Sequence, residues 1–207
     1  MTIFGRTMTL PHPRRLHHCG TQPIETRRLL LRPFRVSDTR EMFENWASDP
    51  RATRYPRWRA HTRPDETRSV LGYWERQYRR RDFYEWGIVL RQTGQLIGSV
   101  GATATRDKFT FEAGYCLGVP WWGQGIATEA LQALLGYLFE EVGCETVIAV
   151  HAEENPASGR VMEKCGMHQR PGSMVVGTEN GPFRCLTYEI GKEEFQVFGG
   201  QLPPLHP

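Results

Sequence analysis

The sequence lacks every arrangement of cysteine that would staple or metallate a small fold. Cys19, Cys116, Cys144, Cys165 and Cys185 are odd in number and widely spaced, and no C-x-x-C pair occurs. Neither a disulfide framework nor a zinc ribbon is indicated, and free thiols suit a reducing, cytoplasmic setting. Lysine is scarce: Lys108, Lys164 and Lys192 are the only three, so arginine supplies nearly all the positive charge. Arginine makes planar, bidentate contacts with phosphate and carboxylate. No apolar run approaches the roughly 20 residues of a transmembrane helix, so no membrane partner is expected. A formal net charge of +3 is too mild to argue for nucleic acid. The opening MTIFGRTMTLPHPRRLHHCG has no continuous apolar core and does not read as a secretory signal. His12, His17, His18 and Cys19 sit in its proline-rich, unpatterned stretch, and no metal site is expected there. No P-loop of the form G-x-x-x-x-G-K-S/T is present, and no internal repeat is visible.

What is present fits one domain with small additions. The chain has 207 residues, 39% hydrophobic and 24% charged, enough apolar content for a packed core. Residues 1–22 read as a loose N-terminal extension, 23–192 as a single domain and 193–207 as a loose tail. IETRRLLLRPF (24–34) reads as a strand, and TREMFENWA as a helix that stops near Asp49-Pro50. After the irregular, arginine-rich stretch 51–63, Pro64 opens a second helix. Val70, Tyr73, Trp74 and Tyr78 recur on it at helical spacing and are expected in the core. Strands FYEWGIVLRQ and QLIGSVGATAT flank Thr93-Gly94, a hairpin signal. In KFTFEAGYCLG (108–118), Phe109, Phe111, Ala113, Tyr115 and Leu117 share one face, and Thr110, Glu112, Gly114 and Cys116 the other. A helix then runs to about Val142, ended by Gly143. ETVIAVHA is a buried strand, and Asn155 with Pro156 starts another helix. HQRPGSMVVG and FRCLTYEI close the domain as strands. The order predicts an α+β fold, a mixed sheet with helices packed on it.

VPWWGQGIATEAL (119–131) carries the chemistry. A helix start exposes unpaired N–H groups and the positive end of a dipole. Gly123 and Gly125 let an anion approach the backbone closely, and the N–H groups of Gln124, Gly125, Ala127 and Thr128 can converge on a phosphate. A dinucleotide fingerprint would need a third glycine where Thr128 stands, and a strand–helix–strand context that the preceding hairpin contradicts.

Several blocks, in order over residues 24–190, resemble the GNAT superfamily of acyl-CoA-dependent N-acetyltransferases. They are IETRRLLLRPF, DPRATRYPRW, YCLGVPWWGQGIATEALQALLGYLF and ENPASGRVMEKCGM. The chain looks most like the branch that includes the ribosomal-protein-alanine acetyltransferases RimJ and RimL. The resemblance implies a mostly antiparallel seven-strand sheet, splayed between its fourth and fifth strands and flanked by about four helices. The pantetheine arm of acetyl-CoA would lie in the split, its pyrophosphate on WWGQGIAT. The superfamily pattern Gln/Arg-x-x-Gly-x-Gly/Ala falls on Trp122 to Ala127; Trp122 departs at the first position, which leaves the backbone contacts intact.

Acetyl transfer needs a neutral amine, a polarised thioester carbonyl and an exit for protons; with both substrates held together, proximity supplies much of the rate. Glu112 is the candidate general base on the strand before the turn, and the resemblance supports a glutamate there. A carboxylate among aromatics would have a raised pKa. The backbone N–H of Leu117 or Val119 is a candidate for the thioester oxygen. Asn155 is a candidate for both capping and the pantetheine arm. Ser158 matches the serine of the branch's N-P-x-S pattern and is a candidate to hydrogen-bond the departing thiolate. Many members place a tyrosine acid where this chain has Met162, which cannot donate a proton. Cys116 has no histidine neighbour in sequence to make it a nucleophile. Trp46, Arg54, Tyr55, Trp58 and Trp86 are candidates for acceptor recognition. The expected reaction is transfer of acetyl from acetyl-CoA to a protein N-terminal alanine or serine amine. A small amine such as a polyamine or aminoglycoside, a non-catalytic acyl-CoA-binding module and a dinucleotide oxidoreductase are the alternatives. Monomer and homodimer both fit.

Overall fold

The computed structural model describes residues 15–199. Strands β1 (Ile24–Glu25), β2 (Leu29–Arg32), β3 (Tyr84–Leu90), β4 (Leu96–Ala104), β5 (Thr110–Leu117), β6 (Thr146–Ala152), β7 (His168–Gln169), β8 (Met174–Thr178) and β9 (Gly181–Gly191) form one sheet. Its order is β1-β2-β3-β4-β5-β6-β9-β7, with β8 also on β9, and β5–β6 is its one parallel pair. The seven expected strands become nine because two of them break. In the first, the chain reverses at Thr26, whose N–H and hydroxyl both bond Leu29 O, and Ile24 comes back against Leu31. In the second, Pro171 and Gly172 (φ 92°) interrupt pairing between β7 and β8, because proline has no N–H for the ladder.

The helices are α1 (Thr39–Met42), continued by a π-helical turn (Phe43–Ala47), α2 (Pro64–Gln77), α3 (Ile126–Gly136), continued by a π-helical turn (Tyr137–Val142), α4 (Pro156–Lys164) and α5 (Lys192–Gly199). α3, α4 and α5 cover one face of the sheet, around Tyr84, Trp86, Phe111, Leu134 and Phe139. α1 and α2 cover the other, around Phe34, Met42, Trp46 and Leu71. The periodicity of α2 misplaces one residue: Tyr73 is half exposed, and Thr67 and Leu71 are the side chains fully inside.

Both expected loose ends are partly built into the fold. Residues 1–14 and 200–207 lie outside the described residues. Between them and the core, His17 donates its N–H to Val142 O, Gly20 donates to Arg81 O, and the Cys19 thiol lies 2.9 Å from the Tyr137 hydroxyl. His18 bonds the Tyr84 hydroxyl. At the other end, Phe195 of α5 is buried with its ring 5.1 Å from that of Phe139. Phe195→Ala should therefore destabilise the protein by about 3 kcal/mol, a cost typical of emptying a buried aromatic site, read as a lowered denaturant midpoint at unchanged slope.

Candidate active site

The parallel ladder between β5 and β6 stops halfway. Thr110–Ala113 pair with Thr146–Ala149, and the strands then part. On the far side of β5 pairing continues: Leu117 still faces Gly98, and Gly118 donates its N–H to Ile97 O. Backbone groups alternate sides along a strand, so the N–H groups of Tyr115 and Leu117 point away from β4, into the split. Leu117 O already accepts the indole N–H of Trp122 at 2.8 Å. The Leu117 N–H, the candidate donor for a carbonyl, points into this gap. Val119 begins the short 3₁₀ turn Val119–Trp121 that follows.

At the mouth of the split, Gly123 and Gly125 both adopt φ 74°, the left-handed conformation that glycine accepts without strain. A β-carbon at Gly123 would meet nothing, and one at Gly125 only Arg28 at 3.6 Å. None of the N–H groups from Gly123 to Thr128 has a backbone acceptor outside the helix ladder. Gln124, Gly125, Ala127 and Thr128 therefore form an open set of donors at the N-terminus of α3, suited to a phosphate. Arg28, missed in the sequence, braces this turn. It donates to Gln124 O at 2.9 Å and pairs with Glu129 Oε2 at 2.6 Å. Burial opposes ionisation of Glu129, but the Thr26 hydroxyl and the Arg28 N–H and guanidinium outweigh it and hold its pKa below the ordinary value.

Across the split, α4 presents Ser158. Its partner is Tyr115 of β5: the two hydroxyls are 2.8 Å apart, and the phenol also donates to Ser158 O at 3.0 Å. Burial pushes the Tyr115 pKa well above its ordinary value, so the phenol stays neutral. Sequence alternation put Tyr115 on the core face, which hid this link. Met162 is buried in the core and offers the split nothing. Asn155 does not cap α4: at φ −114° and ψ 66° its side chain makes no capping bond, although it lies half-buried at the start of that helix.

The opposite face of the sheet carries Glu112. Its Oε1 accepts from Arg57 at 2.8 Å and the side chain is about one third exposed. Arg57 belongs to the arginine-rich loop 51–63, which closes over this face. Arg54 meets Glu154 at 3.1 Å, and the Tyr55 ring lies edge-on to Phe183. Asn180 at the β8–β9 turn donates to Thr53 O and Arg54 O. Trp58 is half-buried beside His61 in this loop. Trp46 and Trp86 are not cleft residues: both are fully buried, and the Trp86 indole bonds Gln22 O. Cys116 is no nucleophile. Its thiol lies against Ala52 O, and burial, with Glu85 nearby, pushes its pKa up to about 12.

Known proteins resemble this chain over most of its length. The family profile "Acetyltransferase (GNAT) domain" matches residues 28–168. A Bacillus subtilis protein named as the uncharacterized N-acetyltransferase YnaD is 30% identical over 146 residues, covering 70% of this chain and 82% of its own. A GNAT-family acetyltransferase structure from Bacillus anthracis superposes with TM-score 0.72 at 26% identity, covering 83% of this chain and 99% of that one. The ribosomal-protein-S5-alanine acetyltransferase of Vibrio fischeri also superposes at 0.72, covering 84% and 98%; at 16% identity that likeness speaks for the fold alone.

Two outcomes follow from the site's geometry. Gly125→Leu should abolish acetyl-CoA binding by calorimetry, while strain of roughly 1–2 kcal/mol from a left-handed non-glycine residue leaves the fold in place. Tyr115→Phe should lower stability by about 1 kcal/mol, the usual loss for one hydrogen bond, measured by urea denaturation.

Proposed function

The chain belongs to the GNAT acetyltransferase family, and on that premise we propose that it acetylates a protein N-terminal alanine or serine, as the RimJ/RimL branch does. The family's acyltransferase chemistry uses acetyl-CoA and an amine acceptor. The observation that carries the cofactor assignment is the set of unpartnered N–H groups from Gly123 to Thr128, opening beside a strand pair that stops at Ala113 and Ala149. Pyrophosphate on that turn would send the pantetheine arm into the split, past the Leu117 N–H and Asn155. The Leu117 N–H then meets the thioester oxygen as negative charge develops on it.

The amine arrives on the face that carries Glu112. Its nitrogen attacks the thioester carbon, the C–N bond forms and the C–S bond breaks in one ternary complex. A carboxylate on the acceptor face takes one proton. Ser158, held by Tyr115, hydrogen-bonds the departing thiolate from the other face. The neutral phenol behind Ser158 supplies a hydroxyl network where Met162 leaves none, and thiolate is a good leaving group without a dedicated acid. For the acceptor, the motif blocks shared with the RimJ/RimL branch support a peptide N-terminus. The carboxylates beside the cleft, Glu112 and Glu154, suit a small cationic amine as well. The five free thiols accord with a reducing compartment.

Calorimetric titration with acetyl-CoA against NADH tests the class, with micromolar, selective binding to acetyl-CoA expected. Thiol release should then be fastest with peptides beginning in alanine or serine. Faster turnover of polyamines would move the acceptor to the small-amine class. Binding of acetyl-CoA with no turnover on any amine would mark a non-catalytic acyl-CoA module.

A further inference from the structure

Glu85, the second residue of β3, faces a gap in the sheet's side chains. β3 pairs Glu85 with Gly101 of β4, and β4 pairs Gly101 with Gly114 of β5. One carboxylate and two glycines thus stand in line across three strands, on the face that carries Glu112 and Cys116. A β-carbon at Gly101 would collide with the Glu85 carboxyl, so that carboxyl lies over Gly101 and reaches toward β5. At Gly114 a β-carbon would meet nothing within 4 Å, and the residue is exposed. Gly114 is also the first residue of β5 beyond its last pair with β6. Neighbouring strands lie about 4.8 Å apart, so the carboxyl stands roughly one strand spacing from the place where the split opens. The backbone of Glu85 is fixed on both sides, its N–H to Thr21 Oγ1 and its carbonyl accepting from Tyr78. Its carboxyl, by contrast, has no hydrogen-bond or ion-pair partner among the described residues.

We propose that Glu85 is the catalytic base, accepting a proton from the acceptor's ammonium group seated over Gly114, while Glu112 serves at the rim as the partner of Arg57. The assignment rests on the acetyltransferase reading and deepens it. Of the ammonium's two departing protons, one goes to Glu85 and the other leaves with the CoA thiolate as thiol. Charge balances: ammonium and carboxylate give neutral amide and neutral acid. Glu85 then returns its proton to solvent.

Glu85 is half-buried, and the desolvation pushes its pKa up to about 8, near that of an amine, where proton transfer between the two is close to balanced. Desolvation is the sole cause, with no charged side chain contributing. The titratable groups near it are Tyr78, just past α2, and Cys116 of β5, both pushed up by burial and neutral through the working range. Glu112 on β5 is engaged by Arg57 of the loop.

The test compares Glu85→Gln and Glu112→Gln with the wild type on an alkylamine and on a hydrazide, which is already neutral at the assay pH. Glu85→Gln should lower kcat on the alkylamine at least 100-fold, within the usual range for a general base. It should leave acetyl-CoA affinity unchanged and recover most activity on the hydrazide. Glu112→Gln should lose less and show no such preference. Misfolding is checked by stability against pH. A carboxyl whose folded pKa exceeds its unfolded value stabilises the fold below the unfolded pKa and loses that contribution as pH rises through about 8. Glu85→Gln should therefore be at least as stable as the wild type at pH 9. Full activity of Glu85→Gln, or an equal loss on both acceptors, would overturn the assignment. A wild-type protein that binds acetyl-CoA and acetylates no amine would remove the acetyltransferase reading itself, and the base with it.

Discussion

The ladder between β5 and β6 holds for four residue pairs, Thr110–Ala113 on Thr146–Ala149, and then stops. Buried backbone donors and acceptors must be paired, so a sheet that opens in its middle needs something else to satisfy the strand edges it exposes. One edge is partly answered by the chain: the Trp122 indole caps Leu117 O. The other groups that point into the gap suit a guest with alternating amides. The phosphate turn follows directly from the same parting, because β5 runs out of its pairing into Gly118, the 3₁₀ turn and α3.

The gap also divides labour between the two faces of the sheet. On the α3/α4 side lie hydroxyls, Ser158 and Tyr115, in a neutral network behind the expected sulfur. On the α1/α2 side lie carboxylates, Glu112 with its arginine and Glu85 without a partner among the described residues. Proton acceptors therefore stand where a cationic amine would enter, and proton donors where a thiolate would leave.

How much of this was legible in the sequence depended on distance along the chain. The glycine turn, the Pro64 helix start, the Thr93-Gly94 hairpin and the end of the third helix at Gly143 are local signals, and each stands in the structure. The brace of Arg28 on Glu129 joins residues 101 positions apart, and Tyr115 reaches Ser158 across 43. Neither can be read without strand register. Glu85 was invisible for the same reason, since its meaning lies in Gly101 and Gly114, which become its neighbours only when three strands align. Trp46 and Trp86 misled because an indole suits a cleft and a core equally well, and only burial separates the two. Asn155 had the right identity for a cap but the wrong backbone angles.

The loop 51–63 and the β8–β9 turn lie more than a hundred residues apart in sequence, yet Asn180 holds three carbonyls of that loop, those of Thr53, Arg54 and Trp58, at 2.8, 3.2 and 3.4 Å. Glu179 adds its N–H to Arg57 O. The two walls above the face that carries Glu112 are thereby one mechanical part. A lineage that retuned its acceptor by altering one wall would have had to adjust the other to keep the clasp. Exchanging one segment between relatives without the other would break the clasp.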